Sequence, residues 1–199
     1  MDAEQVTMLR EVLAATGWLD RTQEFGRALR VTSRTPGGLM LVGTPGDDPW
    51  HLAAHLDDES RLGGLPGLAP TLVRWAPPPD APPHLKVGLE RLEEARRGET
   101  LFVVAEEEAP VPLLERVDDA RRTGAVILAL EGGDEELRGL AHEALTVPAS
   151  EPLVSFDGAQ HLVSAAAGED PAALRAERGR GLRGRLARLL ETVSGPTLD

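Results

Sequence analysis

Apolar residues fall along this chain in two patterns that alternate. Short, nearly continuous apolar runs occur at Leu39-Met40-Leu41-Val42, Thr71-Leu72-Val73-Arg74-Trp75, Leu101-Phe102-Val103-Val104, Ala125-Val126-Ile127-Leu128-Ala129-Leu130 and Leu145-Thr146-Val147. Such runs predict strands buried on both faces. Between them, apolar residues recur every three or four positions: Leu85, Leu89 and Leu92; Leu113, Val117 and Ala120; Leu137, Leu140 and Ala141. That spacing puts each set on one side of a helix. Pro49 suits the first turn of a further helix through about His55, whereas the Gly/Pro-rich stretch 57–70 predicts a loop of limited regularity. Upstream, Val6, Leu9, Val12 and Leu13 predict a helix over 3–15, and Leu19, Phe25 and Leu29 another over 19–29. Downstream, helices are predicted over 153–166 and 171–192, separated by Gly168-Glu169-Asp170-Pro171.

Strands that alternate with helices, without hairpin turns, require parallel pairing and right-handed crossovers. The expected fold is a doubly wound α/β domain with a parallel sheet of about five strands in flavodoxin-like order. The chain reads as one domain: N-terminal helices over 1–35, an α/β core over 38–148 and C-terminal helices over 153–194. The terminal helices are expected as additions to the sandwich.

Composition narrows the chemistry. Among 199 residues, 33 Asp+Glu against 21 Lys+Arg give a formal charge of −12, which argues against nucleic-acid and anionic membrane partners. The absence of cysteine excludes disulfides, thiolate catalysis and Cys-ligated metal sites. The acidic N-terminus lacks a signal-peptide pattern, and no uncharged apolar run approaches the roughly 20 residues of a membrane span. A cytoplasmic location is the expectation. No P-loop, Gly-x-Gly-x-x-Gly or Gly-x-Ser-x-Gly motif occurs, so no cofactor is expected.

Residues 101–147 have a more particular pattern. A strand and loop lead to a helix, then Arg121 or Arg122, Gly124, Ala125, Val126, Ile127 and Ala129, then Leu137 or Leu140, Ala141, Leu145, Val147 and Pro148. Together with two leading helices before a Gly-Gly-strand, this resembles the SIS (sugar isomerase) domain family from Gly38 to Val147. The resemblance implies a cytoplasmic homodimer that binds phosphorylated sugars at two loops, after the first and third strands. In that family the loops offer hydroxyls and free N–H groups to the phosphate.

Both loops depart from that pattern. The first, Gly43-Thr44-Pro45-Gly46-Asp47-Asp48, has Thr44 as its sole hydroxyl; the second, Ala105-Glu106-Glu107-Glu108-Ala109-Pro110-Val111-Pro112, has none and contains two prolines. An exposed helix N-terminus attracts an anion by about 0.3–1 kcal/mol. One carboxylate about 6 Å from a phosphate charge opposes it by about 3 kcal/mol at an effective dielectric near 20. Three glutamates outweigh one dipole even after screening, so the usual phosphosugar site is expected to be lost. Gly43, Thr44, Gly46, Asp47, Glu106, Glu107 and Glu108 are still the candidate ligand-binding residues, because ligands of open α/β sheets bind at strand C-termini. The same acids, with Asp48, Asp134 and Glu135, have a plainer role beside helix N-termini.

Three other features compete for function. The resemblance makes His161 a candidate catalytic residue for proton transfer between adjacent sugar carbons, with Glu151 or a loop glutamate as partner. His51 and His55 have helical i, i+4 spacing with Asp58 nearby, but no third metal ligand is forced and no metal is assigned. The C-terminal segment carries Arg175, Arg178, Arg180, Arg183, Arg185 and Arg188 beside a stripe of Leu182, Leu186, Leu189 and Leu190. It reads as a docked helix with a solvated basic face, or as a contact for an acidic partner.

The leading expectation is a degenerate SIS-like domain that binds or assembles rather than catalyses, with a homodimer and a basic protein as partners. A sugar-phosphate isomerase or sugar-phosphate-binding regulator is the alternative, with a small sugar phosphate as ligand. A metal-dependent enzyme on His51 and His55 is the third reading.

Overall fold

Five apolar runs become five strands: β1 (Leu39–Val42), β2 (Thr71–Val73), β3 (Thr100–Ala105), β4 (Val126–Glu131) and β5 (Glu143–Thr146). The computed structural model describes residues 16–77, 79, 80, 82, 86–151 and 153–169. The helices predicted over 3–15 and 171–192, with the arginines at 175–188, lie outside the described residues. All strand pairs are parallel and the order is β2-β1-β3-β4-β5. The order reverses between β1 and β3, which is the topological switch point of a doubly wound sheet.

The helices are α1 (Trp18–Thr32), α2 (Trp50–Gly63), α3 (Glu90–Glu93), α4 (Val111–Arg122), α5 (Glu135–Leu140) and α6 (Phe156–Gly168), with one 3-10 turn at Pro66–Leu68. Side chains alternate across the sheet, so each strand feeds two cores. Leu39, Leu41, Phe102, Val104, Leu128 and Leu130 face one way and meet Trp18, Phe25 and Leu29 of α1, Leu52 and Leu56 of α2, and Ala159 and Val163 of α6. Met40, Val42, Leu101, Val103, Ile127 and Ala129 face the other way, against Leu92 of α3, Leu113 and Val117 of α4, and Leu137 of α5.

Two expectations are corrected here. Residues 57–63 are helical, because Leu52, Leu56 and Ser60 continue a buried i, i+4, i+8 stripe through the charged stretch. Asp57 and Asp58 face solvent and pair with Arg61, which supports the added turns. Nor are α1 and α6 additions to a finished sandwich. With α2 they form the layer on one face of the sheet, and without them Phe102 and Leu128 would lose their cover.

Candidate functional site

The C-terminal ends of β1 and β3 present the two loops singled out in the sequence. After β1 the chain folds back at once: Asp47 N donates to Thr44 O at 3.2 Å across Pro45-Gly46. Only glycine allows this at position 43, since a Cβ there would lie 2.0 Å from Asp47 O. The Trp75 indole donates to Gly43 O at 2.9 Å and holds the start of the loop against the end of β2. Arg74 Nε stands 3.4 Å from Asp48 Oδ2. Burial, then the charges of Asp48 and Asp157, raise Asp47 above the ordinary carboxylate range. Burial also raises Asp48, against the opposing pull of Arg74.

After β3, Glu106, Glu107 and Glu108 are exposed and form no hydrogen bond or ion pair among the described residues. The next residue is different. Ala109 N is buried and donates to Asp134 Oδ2 at 2.8 Å. The other oxygen of Asp134 accepts from Glu136 N at 3.0 Å and Leu137 N at 2.9 Å, capping α5. One carboxylate thus ties the loop after β3 to the loop after β4. Gly132 permits the approach, because a Cβ there would sit 2.0 Å from Glu106 O.

The loop after β4 has a second tie. Glu131, fully buried at the end of β4, accepts from the Thr146 hydroxyl and from Gly133 N at 2.5 Å. Arg138 Nη1 stands 3.4 Å from Glu131 Oε1. Glu131 stands outside the sequence-predicted site residues; its signal is a carboxylate placed directly after an apolar strand run, where it must find partners.

Three of the histidines, His51, His55 and His161, lie on α2 and α6. His55 of α2 and His161 of α6 meet edge to face, with ring centroids 4.5 Å apart. His161 Nε2 lies 3.5 Å from Asp157 Oδ2, and its buried Nδ1 has no partner. Burial first, then His161 and His51, push His55 below its usual 6.5. His51 is exposed and packs on Trp50 at 3.6 Å between centroids. The carboxylate at ion-pair distance from His161 is Asp157, one helical turn before it; Glu151 instead accepts from Leu153 N at 3.0 Å. Among the described residues no group of three or more His, Asp or Glu is placed to hold a metal ion. No helix among them is long and apolar enough to cross a membrane.

The loops at the ends of β1 and β3 are therefore rich in carboxylates, and several of their positions offer no free N–H. Pro45, Pro49, Pro110 and Pro112 have no N–H, and those of Asp47 and Ala109 are already bonded.

No protein-family model and no curated protein matches the chain. Solved structures do. The sugar isomerase domain of an RpiR transcription factor from Sphaerobacter thermophilus superposes with a TM-score of 0.52 at 17% identity, over 94% of each chain. A protein named as a phosphosugar isomerase, from Silicibacter pomeroyi DSS-3, superposes with a TM-score of 0.52 at 18% identity over 92% of this chain. The present chain spans 54% of that protein's length. With the sheet order β2-β1-β3-β4-β5 and helices on both faces, the chain has the fold of the sugar isomerase (SIS) domain.

Proposed function

We propose that this chain is a SIS-fold protein that works by binding and assembly, not by sugar-phosphate chemistry, as a homodimer with a basic protein partner. The observation that carries this reading is the state of the loop after β3. The Ala109 N–H, which would suit an anion, is held by the Asp134 carboxylate at 2.8 Å, and three unpaired glutamates precede it. Asp47 and Asp48 add negative charge from the β1 loop, and Arg74 of the β2 end is the cation paired with Asp48. A phosphate entering there would meet carboxylates at short range, each costing more than a helix N-terminus returns. A cationic side chain would meet the opposite balance.

The test is a thermal-shift panel of sugar phosphates, followed by calorimetry on any hit. No stabilisation by any ester is expected. A clear, saturable shift with one ester would overturn the reading, because a ligand held by the native state must raise the melting temperature. Size-exclusion with light scattering tests the dimer, and a monodisperse monomer would contradict it.

A second reading has one observation in its favour. His161 is buried beside Asp157, at the same end of the sheet as the β1 loop, where it could serve proton transfer in a sugar-phosphate isomerase. A sugar-phosphate-binding regulator is the companion to this reading, since the sugar isomerase domain of the RpiR transcription factor shares the fold. The thermal-shift panel separates both from the leading proposal.

A further inference from the structure

The contact between α2 and α6 is made in part by two imidazoles. His161 is 8% exposed, its Nδ1 is buried without a partner, and its ring stands edge to face with His55 at 4.5 Å. His55 is half-buried one turn beyond His51, on the helix whose first residue follows the Thr44–Asp47 turn. Edge-to-face packing of this kind suits neutral rings. Two imidazolium ions at that distance, shielded from water on one side, would repel strongly.

We propose that the His55–His161 contact makes the α2–α6 seam an acid-sensitive latch. Protonation of both rings loosens the seam and frees the N-terminal end of α2, together with the Asp47–Asp48 turn that leads into it. The charged groups around the pair come from each neighbouring element. His51 and Asp58 act from α2, Asp157 from α6, and Asp47 reaches Asp157 from the β1 loop. From α1, Arg30 Nη2 bonds Ala166 O at 3.5 Å, at the far end of α6. Asp157 stands 3.5 Å from His161 Nε2 and serves as counter-ion to one proton on the pair, although it is itself 65% exposed. For His55, burial and the two neighbouring imidazoles outweigh Asp58 and Asp157.

The sign follows from linkage. A folded His55 that takes a proton less readily than an unfolded one leaves stability complete above 6.5 and draws it down as pH falls through that value. The latch does not depend on what the strand-end crevice binds.

The experiment follows the histidine Cε1–H resonances of the full chain from about pH 8 to about pH 5, alongside amide exchange protection in α2 and α6. In the wild type His55 is expected to titrate below its usual 6.5. The wild type should also lose about tenfold in protection across both helices over that range. His55→Phe keeps a ring in the contact and removes the charge; it should hold its protection over the same range. His55→Gln repeats the test without a ring. Titration of His55 at its usual 6.5, or equal loss of protection in wild type and both variants, would overturn the proposal.

Discussion

Replacing Asp134 by alanine is expected to unfasten two loops at once. The side chain is 8% exposed and accepts three backbone N–H bonds, from Ala109 at 2.8 Å, Glu136 at 3.0 Å and Leu137 at 2.9 Å. Loss of an N-cap costs about 0.5–2 kcal/mol. The Ala109 N–H is then left buried without an acceptor, a further cost of about 1–3 kcal/mol. A total of about 1.5–5 kcal/mol follows, or about 3–20 °C in melting temperature for a chain of this size. Asp134→Asn separates the two roles, because its carbonyl oxygen still caps α5 while its amide nitrogen cannot accept from Ala109. It should lose only about 1–3 kcal/mol. Urea unfolding read by tryptophan fluorescence measures both, since Trp18 is 2% exposed in the folded core and becomes solvated on unfolding. The midpoint should move with an unchanged slope. A loss below about 1 kcal/mol for Asp134→Ala would refute the reasoning, because the loops after β3 and β4 would then be held by something other than this carboxylate.

The remaining predictions concern the β1 loop. Gly43→Ala would place a Cβ 2.0 Å from Asp47 O and 2.6 Å from the Pro49 ring, so the turn must open, at a cost of about 1–3 kcal/mol by denaturant titration; an unchanged midpoint would contradict the fold-back geometry. Asp47→Asn should raise the melting temperature at neutral pH. Burial and the charges of Asp48 and Asp157 make the folded Asp47 hold its proton more tightly than the unfolded one, so stability declines as pH rises from 3.8 through its raised folded value. The gain should be small for a half-exposed group and should vanish near pH 3.8; a loss at neutral pH would show that the ionised carboxylate is wanted where it is.

The sheet was legible because both-face burial leaves a simple mark. Each of the four residues of β1 is fully buried, and four apolar residues in a row can serve two cores only as a strand. Helix α2 was legible only to His55. Its last two turns carry Asp57, Asp58, Glu59 and Arg61, and a buried stripe of Leu56 and Ser60 is too thin to outweigh four charges in a pattern of polarity. The site divided in the same way. Loop positions at the ends of β1 and β3 followed from strand order alone, and their acidic character could be read directly. The partners of those loops could not, because Asp134 reaches Ala109 across 25 positions and Thr146 reaches Glu131 across 15. Likewise His55 and His161 stood apart in the sequence as separate candidates, and only the packing of α2 on α6 joins them.

The way the crevice is built explains how a SIS fold can carry such a loop. The glutamates at 106–108 are exposed and contribute nothing to either hydrophobic core, whereas Ala105 and Ala109 on either side are buried in one of them. The loop is thus anchored at both ends by apolar contact and at Ala109 by Asp134, while the three positions between are free to take any polar residue without loss of the sheet. An anion site needs its N–H groups and hydroxyls vacant and aimed at one point. Here the vacancy at Ala109 is filled from within by a carboxylate that also caps α5, so restoring an anion site would require undoing a stabilising contact. The internal bond and the external charge act in the same direction. One carboxylate, that of Asp134, is therefore built into how the loops after β3 and β4 are held together.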